Sequence, residues 1–412
     1  MQEQHTTEKT YDQREGIVVP LDLPDFHICQ QQWQDDGTIS VIIIAKTALA
    51  CCPECQRMCT KIHDRRARKK RDLPLGIHRV ELILLKRRFR CEFCHNVFTE
   101  VDTACGWCKR TTARLREYIG QQALKHPLSE VGSSLLVGSR FVQTCFQSVL
   151  EKELNVEGSL VDETAALPSP RFLGIDEFAR RKGHVYDTIL CDLEHRSVLE
   201  VSEGRTLEEV CSLLGRLKNP RAVEAVSMDM SASFRPAVQQ CLPHAHIVVD
   251  HFHVIQHVMK AFKKVISSWA HKKEGMILLH RKRYLFLKAK EDLTDEEKQE
   301  RCQIGLRLPV LEQAWQLKGG LRDWYATATK ETAADQLDCW IDQVHKSACD
   351  PLKKALSAFR RWREEILAFF EYRISNGFVE GKNNRTKMMM RRSYGFKNRQ
   401  HLRFRILAGN LK

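Results

Sequence analysis

Residues 226–257 have the sequence VSMDMSASFRPAVQQCLPHAHIVVDHFHVIQH. Two short apolar runs, 223–228 and 245–249, end on Asp229 and Asp250, and a stretch with helical character follows each run. This alternation is typical of buried strands that alternate with helices. Both aspartates are therefore predicted at strand ends, where ligands and metal ions collect in open α/β sheets. Alternatively, each aspartate caps the helix that follows it.

The basic residues of the chain are unevenly distributed. The chain has 412 residues, of which 43% are hydrophobic, so it is long enough for two or three domains with a large core. Its net charge is +14, and two windows carry the excess: residues 61–90 hold twelve Lys or Arg against three acids, and residues 380–412 hold ten against one. Such local basic surfaces are typical of nucleic-acid binding.

The sequence also indicates the compartment of the protein and the role of its cysteines. It has no apolar leader and no run of roughly 18 apolar residues, so we expect a soluble, cytoplasmic protein that does not contact membranes. Nine of the 16 cysteines lie within the first 108 residues. In a reducing compartment, this clustering indicates metal binding rather than disulfides.

Two Cys-x-x-Cys pairs predict a structural zinc site. A strand-like run at 40–49 precedes Cys52 and Cys55, and a β-rich, alternating run at 79–89 precedes Cys91 and Cys94. Four thiolates complete the tetrahedral site that Zn²⁺ prefers, and a β-hairpin is expected between the pairs. The basic residues of this hairpin would follow DNA phosphates. Five neighbours could each replace one ligand, and the last two also weakly resemble a redox pair: Cys51, Cys59, His95, Cys105 and Cys108.

Residues 111–150 predict a small helical domain. The pattern gives helices at 111–125, 129–135 and 139–150 with a turn at Val137 and Gly138, which is the plan of a helix-turn-helix. In that motif the last helix enters the major groove of DNA. Its exposed readers would be Arg140, Gln143, Thr144 and Gln147. The alternative is a three-helix linker domain without a DNA-reading role.

After a polar linker at 157–170, the chain predicts a second α/β domain. Asp176 lies inside an apolar strand, 172–177, where an unpaired charge is costly. Strands at 185–193 and 197–202, a helix at 207–217 and the strand that ends at Asp229 follow. Three antiparallel strands, a helix and then parallel strands form the order of a ribonuclease-H-like domain, which would bring Asp176 beside Asp229. A long helical stretch, 254–370, follows.

Glu380 is the single acid of the basic C-terminal window. It could be an ion-pair partner of Arg385 or Lys387, but Asp176 and Asp229 favour its role as a third carboxylate. Converging carboxylates repel one another unless cations lie between them, and two Mg²⁺ ions, or Mn²⁺ in their place, suit in-line attack on a phosphodiester. Three further acids could supplement the set: Glu177, Asp187 and Asp192.

Taken in order, these motifs resemble the DDE transposases of bacterial insertion sequences, most closely the ISL-three type. The resemblance covers about residues 52–411. Its carriers are the two cysteine pairs, Gly174-Ile-Asp-Glu177, Ser227-Met-Asp-Met-Ser231, Val249-Asp-His-Phe-His253, Asn376-Gly-Phe-Val-Glu-Gly381 and Tyr394-Gly-Phe396. It implies an α/β multidomain protein with an N-terminal segment (1–39), a four-cysteine zinc ribbon (40–104), a helix-turn-helix domain (105–156) and a ribonuclease-H-like domain (170–412) with a helical insertion (about 254–370).

The resemblance also implies functional roles. Asp176, Asp229 and Glu380 would hold two Mg²⁺ ions, with Asp250 and His253 as active-site support. The enzyme would bind terminal inverted repeats in double-stranded DNA, nick the DNA and join the freed 3′ end to target DNA. It would act as a homodimer or larger assembly at the bacterial nucleoid. Basic residues on the last helices would contact phosphates: Lys382, Arg385, Lys387, Arg391 and Arg392.

Two other functions remain open at this stage. The zinc ribbon and helix-turn-helix alone would make a transcription regulator with an inactive C-terminal domain. A nuclease of the same fold would cut DNA without defined ends. The intact carboxylate set argues against the first, and the two DNA-binding modules argue against the second.

Overall fold

The structure is a computed structural model that describes residues 21–101, 110–155, 164–181, 183, 185–393, 395–396 and 398–409. Cys105, Cys108 and Tyr394, to which the sequence analysis gave roles, lie outside the described residues. The chain divides into two compact units, Met1–Val156 and Glu157–Lys412.

The first unit begins with a five-stranded sheet of order β1-β2-β6-β5, with β7 paired to β6. Alternate residues of β2 and β6 are buried in its core, as the period of two in a strand dictates. The antiparallel hairpin β5–β6 confirms the hairpin predicted between the cysteine pairs, whereas β1 was not predicted. The strands are β1 Phe26–Trp33, β2 Ile39–Ala45, β3 Ala50–Cys51, β4 Met58–Cys59, β5 Ile62–Arg71, β6 Val80–Arg90 and β7 Val97–Thr99.

Three helices complete the first unit, close to the predicted bounds: α1 Ala113–Lys125, α2 Leu128–Ser134 and α3 Ser139–Asn155. The Thr112 side chain caps α1 by accepting a hydrogen bond from the Leu115 amide. Helices α1 and α3 approach each other closely at Gly120, where a Cβ would lie 2.4 Å from Val149 Cγ2. A glycine is therefore required at this contact.

The second unit contains a five-stranded sheet of order β10-β9-β8-β11-β12. The three strands β8, β9 and β10 form an antiparallel meander, and β11 pairs in parallel with both β8 and β12. This confirms the predicted strands. They are β8 Phe172–Arg181, β9 Val185–Asp192, β10 Ser197–Glu203, β11 Ala225–Met228 and β12 His246–Val249. Helices α4 Leu207–Leu214 and α5 Phe234–Cys241 pack in the same core as Ile175.

The chain from β12 to residue 372 is mostly helical, as predicted for 254–370. Helix α6 leaves the end of β12 and packs against α10 and α12. The buried indoles of Trp324 and Trp340 donate hydrogen bonds to carbonyls within this region. Its helices are α6 His251–Ala270, α7 Lys273–Leu278, α8 Tyr284–Leu287, α9 Asp295–Arg307, α10 Pro309–Thr327, α11 Ala333–Lys346, α12 Asp350–Arg361, α13 Arg363–Leu367 and α14 Phe369–Tyr372.

The last two helices cover the face of the second sheet opposite to the face that packs against α4 and α5. Helix α15 Gly377–Arg392 contacts β8, and α16 Arg399–Ala408 contacts β10. Their apolar side chains form a core with Phe178 and Ile189. Fully buried Arg403 donates two hydrogen bonds of 2.6 Å to Glu200, which fixes α16 to the sheet. Among the described residues, no helix is long and apolar enough to cross a membrane.

Candidate active site

The register of the second sheet places Asp176, Asp229 and Asp250 side by side. In the parallel ladder, Ser227 is opposite Gly174 and Met228 is opposite Val249. Asp229 follows Ser227 by two residues, as Asp176 follows Gly174, so these two aspartates are neighbours. Asp229 is also the neighbour of Asp250, because each follows directly after a residue of the Met228–Val249 pair. The Asp250 amide donates to the Met228 carbonyl at 2.9 Å, which continues this alignment past the strand ends.

Asp176 and Asp229 are neighbouring, half-buried carboxylates, and the charge of Asp176 makes Asp229 harder to ionise. Burial, followed by repulsion from Asp176, raises the pKa of Asp229 to about 6. Burial also raises the pKa of Asp176, although the Glu177 amide partly offsets this by donating a 2.8 Å hydrogen bond to its Oδ1. Oδ1 of Asp229 is buried and accepts no hydrogen bond from any described residue. Two neighbouring carboxylates with a spare buried oxygen are well suited to a cation.

Asp250 occupies the N-cap position of α6, but its carboxylate makes no capping hydrogen bond. It lies instead 3.4 Å from His251 Nδ1 and 3.3 Å from His253 Nδ1. Burial works against its ionisation, but these two imidazoles hold the pKa of Asp250 well below its usual range. The hydrogen bond to Asp250 in turn raises the pKa of His253. The capping hypothesis is therefore wrong for Asp250, whose carboxylate contacts the two imidazoles instead.

The cap hypothesis is also wrong for Asp229. The N-cap residue of the following helix α5 is Ser233. Asp229 lies four positions earlier, and its backbone carbonyl accepts a 2.8 Å hydrogen bond from the Ser231 amide in the intervening turn. The Asp229 side chain is left to face the site.

Helix α15 presents a polar row to β8 at positions 376, 380 and 383, one face of a helix at spacings of four and three residues. Asn376 donates a 2.9 Å hydrogen bond to the Ile175 carbonyl, and Asn383 donates one of 2.8 Å to Asp176 Oδ2. Half-buried Glu380 stands between them on this face. In the described residues, no ion pair links Glu380 to Arg385 or Lys387, so that alternative is not seen.

The carboxylate oxygens of Asp176, Asp229 and Glu380 are not close enough together for one ion to contact all three residues. The only group of at least three His, Cys, Asp or Glu side chains in the described ranges with all ligand atoms within 4.8 Å of one another is the cysteine cluster described below. Of the three further acids that could supplement the set, Glu177 is close enough for its charge to raise the pKa of both Asp176 and Asp229. Glu177 also forms an ion pair with Arg205 at 2.5 Å. Asp187 pairs with Arg180 and Arg399, and Asp192 with His195, so both have structural partners.

In the first unit, the sulfur atoms of Cys52, Cys55, Cys91 and Cys94 all lie within 4.8 Å of one another. Cys52 Sγ is 3.6 Å from Cys94 Sγ, and Cys55 Sγ is 3.5 Å from Cys91 Sγ. Thiolates about 2.3 Å from one Zn²⁺ would be about 3.8 Å apart in a tetrahedron. Amide hydrogen bonds from Cys94, and then Phe93, help to lower the pKa of the Cys91 thiol to about 6. The pKa values of the Cys55 and Cys94 thiols are raised despite amide hydrogen bonds from Arg57 and Asn96, because burial and the neighbouring thiols disfavour further ionisation, so the fit to zinc rests on the spacing of the four sulfur atoms. The donor set therefore fits zinc.

The two cysteine pairs have matching turns. The Gln56 amide donates to Cys52 O at 2.9 Å, and the His95 amide donates to Cys91 O at 3.1 Å. Both donors have positive φ, 58° and 60°, so His95 is the turn residue of its pair, and it is not a member of the four-sulfur cluster. Cys51 is exposed and directed to Gln56, and Cys59, although buried, is outside the four-sulfur group. The four cysteines of the two pairs are thus the set that the fold brings together.

The predicted DNA readers lie on the surface of α3. This helix buries Val142, Cys145 and Phe146. Its opposite side carries the exposed or half-buried residues Arg140, Gln143, Thr144 and Gln147. On α15, Arg385, Lys387, Arg391 and Arg392 are exposed, whereas Lys382 is half-buried and donates to the Gly409 carbonyl at 3.4 Å.

Two features around the aspartates of the second sheet were not predicted from the sequence. Asn383 was not singled out, although its spacing of three residues from Glu380 puts both on one helical face. A cleft of about 380 Å³ beside Asp229 and His253 was also missed. Its walls come from α6 and α12, which are about 100 residues apart in the chain, so no local sequence pattern indicates it.

Comparison with known proteins identifies the family. A transposase family model, the DDE type of ISL3 (ISL-three), matches residues 173–406, and a model for the zinc finger of the IS204, IS1001, IS1096 and IS1165 transposases matches residues 48–94. The transposase for insertion sequence element IS1001 of Bordetella parapertussis is 25% identical over 394 residues, which cover 92% of this chain and 93% of that protein. The transposase for element IS1557 of Mycobacterium tuberculosis H37Rv is 23% identical over 259 residues, 56% of this chain and 58% of that protein. The chain belongs to the ISL3 family of insertion-sequence transposases.

Proposed function

We propose that this transposase cuts DNA at the terminal inverted repeats of its element and transfers the freed 3′ end to target DNA, using Asp176, Asp229 and Glu380. The observation that carries this assignment is the alignment of Asp176 and Asp229 on adjacent parallel strands. Both carboxylates have a raised pKa, and Asp229 keeps one buried oxygen without a partner. The order of the sheet, with its meander and two parallel strands, supports a ribonuclease-H-like fold for this domain.

The residues fit Mg²⁺, a hard cation that prefers carboxylate oxygens. Asp176, Asp229 and Glu380 would hold two such ions, or Mn²⁺ in their place. When bound, the ions would activate the attacking water or 3′-hydroxyl and stabilise the leaving oxygen of the phosphodiester. The protein's own contribution is to keep the carboxylates aligned: Asn383 orients Asp176, and the Glu177 amide fixes its other oxygen.

Asp250 and His253 would support this site. Asp250 holds the His253 ring through Nδ1, and the charges of Asp229 and Asp176 also act on that ring. An imidazolium held here would counter the negative charge of the carboxylate pair before the metal ions and DNA arrive. His253 is therefore a positioning residue in this proposal.

Three surfaces would bind DNA. The four-cysteine cluster would hold structural Zn²⁺ and brace the ribbon, whose edge strand β5 exposes Arg65, Arg66, Arg68 and Lys69. Helices α1–α3 would act as a helix-turn-helix, with Arg140, Gln143, Thr144 and Gln147 at the base edges. Lys382, Arg385, Lys387, Arg391 and Arg392 would contact phosphates, with the exposed four contributing more than half-buried Lys382.

The domain limits of 40–104, 105–156 and 170–412 correspond to these roles. An enzyme that joins two element ends to one target needs two copies of the active site near each other. We therefore expect a homodimer or a larger assembly on DNA.

The test uses purified full-length protein with Mg²⁺ and labelled DNA that carries either the ends flanking its own gene or the same ends with scrambled sequence. Wild type should nick only the authentic ends, and 3′ ends should become joined to a supercoiled target plasmid. Glu380→Gln should bind the ends but not cut them. Glu364→Gln, an exposed glutamate outside the site, is the matched control and should behave as wild type.

Other outcomes would point to different functions. Equal cutting of authentic and scrambled ends would indicate a nuclease without defined ends. Tight binding of the authentic ends without cutting, unchanged by Glu380→Gln, would indicate a regulator. Full cutting by Glu380→Gln would remove Glu380 from the carboxylate set.

A further inference from the structure

The cleft beside Asp229 lies between a polar row on α6 and a mixed row on α12. From α6 come His253, Gln256, His257 and Lys260, at spacings of three, one and three residues, which form one stripe on a helix. From α12 and the residue that follows it come Ser357, Ala358, Arg361 and Trp362. Packed helices normally meet through apolar side chains, so the polar stripe on α6, with Ser357 and Arg361 on the opposite wall, requires another explanation. The volume of about 380 Å³ lies within the range of ligand clefts, roughly 300–1,000 Å³.

The cleft is built on a fixed frame. His257 Nε2 lies 3.3 Å from the Ala355 carbonyl and links the two helices. The Arg235 guanidinium lies 4.7 Å from the centre of the buried Trp362 ring and donates a 3.1 Å hydrogen bond to the Arg361 carbonyl. Arg235 also pairs with Glu365. The backbone of Arg361 is therefore held in place while its side chain remains exposed.

Two cations in this cleft have no partner among the residues that the structure describes. Lys260 and Arg361 are both exposed, and neither side chain makes an ion pair or a hydrogen bond with any residue that the structure describes. Many other basic side chains of the same helical region do have acidic partners, such as Lys288 with Glu297 and Lys290 with Asp323. Among the lining residues that the structure describes, Asp229 is the only acid.

We propose that this cleft holds one nucleotide of the element-end DNA strand next to the phosphodiester that is cut, with its phosphate bound by Lys260 and Arg361. The inference rests on the proposed function, because it takes Asp229 as part of the cutting site. Asp229 itself lines the cleft, so a DNA strand bound at this carboxylate would lie beside the cleft. The polar side chains of the cleft can form hydrogen bonds with a sugar or base. The Lys260 ammonium can bind a phosphate as a compact charge, and the Arg361 guanidinium can bind it through two parallel hydrogen bonds. The helical region would thus hold the strand in register with the carboxylates.

The phosphate contact is tested by binding, which does not require cutting. Ca²⁺ replaces Mg²⁺, and the affinity for element-end DNA is measured for wild type and for Lys260→Ala and Arg361→Ala. Each variant should weaken binding about tenfold, since hydrogen bonds to charged groups contribute at least that factor. The slope of log affinity against log salt should fall by about one for each variant. Lys346→Ala and Arg307→Ala, exposed cations outside the cleft, are the controls and should change neither.

A second series locates the phosphate. Single methylphosphonates, which lack the charge, are placed one at a time along the DNA strand. One position near the cut should weaken wild-type binding about as much as the Lys260→Ala, Arg361→Ala double substitution does, and the same position should have little further effect in that double variant. A thermal melt of each variant checks that the fold is intact.

The outcomes separate this proposal from the proposed function. If all methylphosphonates weaken wild type and the double variant equally, or if the variants bind as the controls do, the cleft does not bind this phosphate. A cleft-dependent phosphate near the ends in a protein that never cuts in Mg²⁺ would support the cleft and contradict the chemistry. Cutting at the ends with no cleft-dependent phosphate would support the proposed chemistry and contradict the role of the cleft.

Discussion

Asn383 donates a hydrogen bond from its Nδ2 to Asp176 Oδ2 at 2.8 Å, which joins α15 to the middle of β8. It leaves the other oxygen of Asp176 to the Glu177 amide. Side chains that orient metal-binding groups typically contribute a factor of about 10–100 to metal affinity or activity. We predict that Asn383→Ala lowers the single-turnover rate of DNA nicking by about this factor and raises the Mg²⁺ concentration needed for half of its maximal rate.

The neighbouring Asn384 is exposed on α15 and provides the control. Asn384→Ala should leave the rate and the Mg²⁺ dependence unchanged. If Asn383→Ala also left both unchanged, Asn383 would have no positioning role. If it lowered the rate without changing the Mg²⁺ dependence, its role would be restricted to holding α15 in place.

Gly174 in β8 lies where α15 comes closest to the strand. A Cβ at this position would lie 2.7 Å from Val379 Cγ2 and 2.7 Å from Leu193 Cδ2. Gly174→Ala should therefore lower the free energy of unfolding by about 1–3 kcal/mol, as overpacking does. Because α15 would be displaced, nicking should fall as well.

The matched variant is Gly381→Ala, in the same contact region but on the open side of α15, where a Cβ meets nothing within 4 Å. It should instead stabilise the helix by up to about 1 kcal/mol, because alanine is the better helix former. Urea unfolding of both variants provides the measurement. The packing account is wrong if the two substitutions change stability in the same direction.

The cysteine cluster predicts one tightly bound zinc ion per chain. Cys55→Ser removes one of the four sulfur atoms and should lower the zinc content and the thermal midpoint of the first unit. Cys51→Ser, at an exposed cysteine outside the cluster, should change neither. Metal analysis after dialysis against a weak chelator measures the zinc content. Zinc loss in Cys51→Ser, or full retention in Cys55→Ser, would contradict this ligand set.

Lys318 is a buried lysine whose ammonium donates to the carbonyls of Phe286 and Lys288 at 3.0 and 3.2 Å. Burial lowers its pKa from 10.5 to about 8. Between these values the unfolded chain binds a proton that the folded chain does not, so folding stability gains with rising pH, by at most about 1.4 kcal/mol per pH unit. Lys318→Met should lack this contribution.

The measurement is urea unfolding at pH 7.5, 8.5 and 9.5, with stability taken as wild type minus variant. This difference should rise with pH across the window. Lys346→Met, at an exposed lysine, should give a difference that does not depend on pH. A flat difference for Lys318→Met as well would mean that Lys318 stays protonated in the folded protein.

Much of this site was predictable from local patterns. Asp229 and Asp250 each follow a short apolar run, and strands that run in parallel must bring such ends to one edge. The two cysteine pairs are equally local, because each pair makes its own turn before the hairpin brings them together. Glu380 could be predicted because it is the only acid in a basic window.

The remaining features depend on packing between distant segments. The contact of Asn383 with Asp176 spans 207 residues and requires α15 to lie against β8. The wall of the cleft that carries Arg361 is about 100 residues from the wall that carries Lys260. The alternative that Asp250 caps a helix was reasonable from its position alone. It was wrong because the carboxylate contacts the two imidazoles that follow it and makes no capping hydrogen bond.

The central claim is that Asp229 forms part of the site that cuts DNA. The most direct test is single-turnover nicking of element-end DNA in Mg²⁺ by Asp229→Asn, beside Asp342→Asn, an exposed aspartate outside the site. The same proteins are assayed for binding in Ca²⁺. We predict that Asp229→Asn binds the DNA as wild type does but cuts it at least about a thousandfold more slowly, and that Asp342→Asn does both normally. Nicking by Asp229→Asn at the wild-type rate would contradict the account.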